Sequence, residues 1–155
     1  MSDNLRDQIN AALKTALKEK QKTRLSTLRL VSAAIKDREI AYRAGNGDKG
    51  IDDGDILEIL AKMIKQRRES AQTYEEAGRL ELSRQELDEI DVISEFMPQQ
   101  LGDDDVRQAC QAIVEELDAE GLKDMGRTMG ALKAKFAGQM DFGKASRIIK
   151  ELLGG

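Results

Sequence analysis

Apolar residues recur at helical spacing along almost the whole chain, and no stretch alternates as a strand would. Leu5, Ile9, Ala12, Leu13, Ala16 and Leu17 share one face and predict a first helix, with Ser2 or Asp3 as its N-cap. After the polar turn Lys20-Gln21-Lys22, Thr23 can cap a second helix. Its Leu25, Leu28, Leu30, Val31, Ala34 and Ile35 form a face wide enough for a central helix packed on two sides. The segment Gly45-Asn46-Gly47-Asp48-Lys49-Gly50 breaks the pattern. Ile56, Ile59, Leu60, Met63, Ile64, Ala71 and Tyr74 restore it up to Gly78, which suits a C-cap because glycine accepts positive φ. Leu87, Ile90, Ile93 and Met97 mark a fourth helix that must stop near Pro98, the only proline, whose ring disfavours helix at the residue before it.

Beyond that proline, Asp103, Asp104 and Asp105 place carboxylates at a helix start, where they offset the positive end of the dipole. Val106, Ala109, Cys110, Ile113, Val114 and Leu117 then line a fifth helix, ended by Gly121. Met125, Met129, Leu132 and Phe136 line a sixth, and Phe142, Ala145, Ile148, Ile149 and Leu152 a seventh. Gly138 and Gly143 bracket the turn between the last two. The pattern therefore predicts an all-α fold: an N-terminal domain of about four helices over residues 1–98 and a three-helix C-terminal domain over 99–155. The second is small enough to be marginally stable alone.

Composition changes this picture mainly by exclusion. The 155 residues are 40% apolar and 35% charged, an ordinary soluble balance. Met1-Ser2-Asp3-Asn4 lacks the basic and apolar run of a signal peptide, and no apolar stretch approaches the roughly 18 residues needed to cross a bilayer. A cytoplasmic protein without membrane contact is the expectation. One cysteine and no histidine exclude a disulfide framework within the chain and the usual zinc ligand sets. Cys110 sits on an apolar stripe with no histidine to take its proton, so it reads as core rather than nucleophile. The acidic segment from Gly47 to Asp55 does not offer the glycine and glutamate register of a calcium-binding EF-hand. Neither a phosphate-binding glycine loop nor a nucleophile elbow occurs. No catalytic residue, metal or cofactor is expected. Glu58 with Lys62, and Lys65 with Glu69, have the spacing of exposed ion pairs.

Charge carries more information. Residues 121–155 hold seven basic side chains (Lys123, Arg127, Lys133, Lys135, Lys144, Arg147, Lys150) against three acidic ones, a surplus of four positive charges. The first 120 residues hold 18 basic and 26 acidic side chains, a surplus of eight negative charges. A basic end on an acidic body can attract a polyanion to one place. Lys14, Lys18 and Lys22 form a weaker basic stripe that compensation of a helix dipole explains. Gly126 and Gly130, four apart at the start of the sixth helix, predict close packing against a neighbouring helix. The alternative is a bare backbone that can approach a phosphate.

Several pieces together resemble the GatB/YqeY family: Lys65-Gln66-Arg67-Arg68-Glu69-Ser70, Glu76-Ala77-Gly78-Arg79, Glu95-Phe96-Met97-Pro98-Gln99-Gln100-Leu101, Asp124-Met125-Gly126 and Met129-Gly130. Gly102 departs from the serine or threonine more usual there. The resemblance is to the stand-alone YqeY-type protein, whose C-terminal helices are similar to the tail of the B subunit of the tRNA-dependent amidotransferase. It implies a non-catalytic, tRNA-associated protein; the label of carbon-nitrogen ligase with glutamine as amide donor belongs to domains this chain does not resemble. tRNA is the implied ligand, held by Arg127, Lys133, Lys135, Lys144, Arg147 and Lys150, with Gly126 and Gly130 beside them. An aminoacylation or amidation enzyme is the alternative partner, with the chain as adaptor. Five aromatic residues, all Phe or Tyr, argue against a stacking platform and for recognition of RNA shape and backbone. Four neutralised phosphates would give a log affinity against log salt slope of roughly −3 to −4.

Overall fold

The computed structural model describes residues 4–46 and 50–154; the capping expectations at Ser2 and Asp3 lie outside them, as do residues 47–49 of the acidic segment. The described residues form seven α-helices and one short 3₁₀ turn, with no strand. Their contacts divide the chain into two compact units, Met1–Met97 and Pro98–Gly155.

The first unit contains α1 (Leu5–Lys18), α2 (Lys22–Asn46), α3 (Asp53–Glu76) and α4 (Leu80–Ser94). Asn4 caps α1, its Oδ1 accepting the Asp7 N–H at 2.8 Å. Since α2 already begins at Lys22, Thr23 lies inside its first turn and does not cap it. A reciprocal capping box starts α3: Asp52 accepts from the Asp55 N–H at 2.9 Å, and Asp55 accepts from the Asp52 N–H at 3.1 Å. Asp53 adds a tie to the first helix by accepting the Leu5 N–H at 3.2 Å. Leu5, Ile9, Val31, Ile35, Ile56, Ile59, Leu60, Met63 and Ile93 close the core between the four helices. The inward strip of α2 is Thr27, Leu28, Val31 and Ile35, which is narrower than its apolar face. Leu30, 48% exposed, is left outside, as are Leu17 and Leu87. Glu58 pairs not along its own helix but with Arg38 of α2, at 3.9 Å.

The second unit packs α5 (Asp103–Glu116), α6 (Met125–Lys135) and α7 (Phe142–Gly154) pairwise against one another, with the 3₁₀ turn Leu122–Asp124 before α6. Its core is Val106, Cys110, Ile113, Leu132, Met140, Ala145, Ile149 and Leu153. Leu153 takes the inward place expected for Leu152, which is exposed. Cys110 is fully buried as expected, and burial pushes its thiol pKa up. Gly102 occupies the N-cap position with extended backbone and no side-chain cap. The lead into α5 is tied to the turn after α6: Leu101 N–H donates to the Gln139 carbonyl at 2.9 Å, and Gln100 Nε2 to the Gly138 carbonyl at 2.6 Å.

Three helices end with the same left-handed device. After α3, the Gly78 N–H reaches the Glu75 carbonyl at 3.0 Å and the Arg79 N–H the Tyr74 carbonyl at 2.8 Å, with Gly78 at φ +75°. Lys20 (φ +57°) plays the glycine's part after α1, and Asp118 (φ +49°) after α5. Gly121, the stop expected for α5, instead has extended backbone just before the 3₁₀ turn. A left-handed residue with a Cβ costs roughly 1–2 kcal/mol, and glycine's extra chain entropy takes back part of any relief. Lys20→Gly should therefore stabilise the first unit by up to about 1 kcal/mol. Asp118→Gly should do less, because aspartate accepts this conformation better. Urea denaturation tests both, and a lower midpoint for Lys20→Gly would refute the strain argument.

Candidate nucleic-acid interface

The six cations expected to bind RNA all belong to the second unit, but they are not equivalent. Arg127, in the first turn of α6, is part of the local structure: its Nη1 donates to the Leu117 carbonyl at 3.1 Å and its Nη2 lies 3.4 Å from Asp124 Oδ1. Asp124 also accepts the Glu120 N–H at 2.9 Å, and these contacts, that backbone bond foremost, hold its carboxyl below the usual range. Arg127 therefore pins the α5–α6 connection. Lys144, in the first turn of α7, donates to Asp103 Oδ1 at 2.7 Å, which lowers the Asp103 pKa. Lys135 lies 3.9 Å from Glu116 and over the Phe136 ring at 5.9 Å.

Lys133, Arg147 and Lys150 are exposed and have no ion pair among the described residues. Their freedom follows from the helix pattern. α7 turns Ala145, Ile149 and Leu153 inward, so Lys144, Arg147 and Lys150, three apart, fan across its outer side. On α6, Thr128 and Leu132 point inward and Lys133 falls on the edge of the outer face.

A shallow surface groove between the start of α5 and α7 is lined by Arg107, Lys144 and Arg147 together with Asp103, Asp104 and Glu151. Only Lys144 and Arg147 of the expected set reach it. Arg107 was not anticipated; its signal was a place on α5 one turn after Asp103, among acidic neighbours that masked it. Three carboxylates against three cations make this groove mixed rather than basic. The same holds for the whole unit: residues 98–120 contain seven acidic side chains and one basic, so the unit carries eight basic against ten acidic. Its charge is divided between helices, acidic on α5 and basic on α6 and α7.

The two glycines do not pack as expected. Gly126 and Gly130 are exposed, and a Cβ added at either would meet nothing within 4 Å. The inward face of α6 is held by Thr128 and Leu132, with Met125 and Met129 half-buried, so the glycines fall on the opposite side. They expose bare backbone beside Arg127 and Lys133.

These features describe an all-helical protein of two units with exposed cationic side chains on its helix faces. The chain belongs to the YqeY-like protein family, whose model matches residues 6–153. An uncharacterized protein of Schizosaccharomyces pombe is 30% identical over 96 residues, covering 62% of this chain and 74% of that protein. The protein named altered inheritance of mitochondria protein 41, mitochondrial, is 35% identical over 85 residues in Eremothecium gossypii, covering 55% of this chain and 44% of the relative. Its namesake in Pyrenophora tritici-repentis is 25% identical over 149 residues, 94% of this chain and 79% of the relative. Those names overturn the cytoplasmic placement expected from the amino terminus: the named relatives are mitochondrial proteins. The physical reason is simple. Mitochondrial targeting segments are amphipathic and arginine-rich, so the lack of an apolar run says nothing about them.

Proposed function

We propose that this chain is a non-catalytic, tRNA-associated protein whose second unit holds the phosphate backbone of folded RNA, as its resemblance to the amidotransferase tail suggests. The observation that carries this reading is the set of three exposed, unpaired cations Lys133, Arg147 and Lys150 beside the open backbone of Gly126 and Gly130. Lys135 and Lys144 are secondary, since each must leave a carboxylate, although exposed pairs of this kind hold weakly. Arg127 is structural first. The readout is of shape and charge, with no base stacking.

Fluorescence titration of bulk tRNA tests this. Lys133→Glu with Arg147→Glu and Lys150→Glu should weaken binding and make the log affinity against log salt slope shallower by roughly 2 to 3. Failure of the native chain to bind at low salt, or a triple variant that binds like it, would remove the proposal. The adaptor reading, with an aminoacylation or amidation enzyme as partner, is favoured by one observation: Leu80 and Leu87, seven apart on one side of α4, are both exposed. An adaptor would retain its partner after nuclease treatment.

A further inference from the structure

The largest cationic surplus in the chain is not in the second unit. Residues 4–46, which form α1 and α2, contain ten basic and four acidic side chains, whereas residues 50–97, with α3 and α4, contain six basic and 13 acidic. The first unit is therefore more sharply divided by charge than the second.

The surplus is organised. Lys22, Arg29, Lys36 and Arg43 follow one another at intervals of seven residues along α2, and all four are exposed. Residues seven apart return to nearly the same side of a helix, drifting about 20° each time. The four ammonium and guanidinium groups thus form one line, stepping about 10.5 Å and spanning about 32 Å. None of them has an ion pair among the described residues. The other arginines nearby do: Arg6 with Glu39, Arg24 with Glu95 and Arg38 with Glu58. Glu39, three residues after Lys36 and four before Arg43, feels both cations, but its hydrogen bonds come from Arg6, which donates from Nη1 at 3.1 Å and from Nη2.

We infer that α2 is a second track for the phosphate backbone of folded RNA, distinct from the second unit's cations; the inference takes its ligand class from the proposed function and adds a surface to it. Charge complementarity selects this occupant. The track is long enough to meet several successive phosphates along one strand of a duplex, one turn of which spans roughly 34 Å in B-form DNA and less in RNA. A second copy of the chain pairing through this same face would bring like charges together. A helix lying in a lipid surface adds a continuous apolar face to its basic one; here Leu30 (48% exposed) and Ile40 (56%) are ten residues apart, with the charged Asp37 between them. A protein partner is usually anchored by exposed aromatic side chains. The one aromatic of α2, Tyr42, is half-buried and donates to Asp55 Oδ1 at 2.8 Å.

The test uses the full chain with bulk tRNA, with RNA duplex, and with vesicles of phosphatidylserine and phosphatidylcholine. Arg29→Glu with Lys36→Glu and Arg43→Glu should weaken RNA binding by at least tenfold at about 0.1 M salt and make the salt slope shallower by roughly 2 to 3. The corresponding glutamine triple covers the case in which charge reversal disturbs folding, and should show the same change in slope. RNA binding by either folded variant within about twofold of the native chain overturns the track. If only the Lys133, Arg147 and Lys150 variant loses RNA, the track fails while the proposed function stands. If only the α2 variant loses it, the track stands and the second-unit interface fails. A native chain that binds vesicles but not RNA overturns both.

Discussion

Leu132→Ala should open the second unit and expose Cys110 to thiol reagents. Leu132 is fully buried at the centre of a core of eight side chains drawn from all three helices and the turn before α7. Shortening a buried leucine to alanine costs about 2–5 kcal/mol through lost transfer energy and the cavity left behind. A unit of 58 residues has a total stability of roughly 3–9 kcal/mol. The substitution therefore removes a large part of what holds it folded. Cys110 is the only cysteine of the chain, is fully buried in the same core, and has its thiol pKa raised by burial. Its labelling in the native protein must wait for the unit to open. Where opening and closing are fast compared with reaction, the labelling rate follows the open population. Leu132→Ala should then speed labelling by at least about 25-fold, the equivalent of about 2 kcal/mol. An unchanged rate would mean that Leu132 is not a keystone of this core.

The ease with which this core could be foreseen has a physical basis. Burial in a helical protein repeats every 3.6 residues, so Val106, Cys110 and Ile113 declare themselves in order, as do Ile56, Ile59, Leu60 and Met63. Where the apolar face was wider than the groove that receives it, the pattern could not say which member stays outside; Leu30, Leu87 and Leu152 are those members. Helix ends were less legible because left-handed backbone at Lys20 and Asp118 leaves no glycine to announce it. The glycine pair at 126 and 130 was ambiguous in principle, since the absence of a side chain serves a tight contact and an open face equally.

Charge was legible as a sum and illegible as a surface. The surplus after residue 120 could be counted, but the carboxylate that engages Lys144 lies 41 residues earlier. Counting the first 120 residues together also hid the cationic α1 and α2 under the acidic α3 and α4. Their opposite signs nearly cancel in a sum, and the seven-residue spacing of Lys22, Arg29, Lys36 and Arg43 puts them on one side only because α2 runs unbroken from Lys22 to Asn46. The charge of this chain is therefore segregated helix by helix rather than between its two ends.

The same distinction between charge and its surroundings gives the second large effect, at Arg67 and Glu89. Their side chains are only 14% and 13% exposed between α3 and α4, with Arg67 Nε 3.6 Å from Glu89 Oε2. That is too long for a good hydrogen bond. Arg67 Nη1 is better placed, donating to the Met63 carbonyl at 3.3 Å. Burial raises the Glu89 pKa by more than the arginine lowers it, so folding makes its carboxylate harder to form than in the unfolded chain. The sign follows directly: the stability contributed by protonated Glu89 is complete below the ordinary glutamate pKa and is lost as pH rises through the higher folded value. Glu89→Gln should remove that decline, and its stability measured by urea denaturation should be flatter over this interval than that of the native chain. Parallel curves would rule out Glu89 as the source. Glu89→Ala, by contrast, leaves a buried guanidinium without its counter-charge and should cost about 3 kcal/mol. Arg67→Met combined with Glu89→Leu should recover most of that loss, because an apolar pair avoids desolvating either charge. Recovery in the double variant would show that this ion pair is held in place by the cost of breaking it rather than by a net gain from forming it.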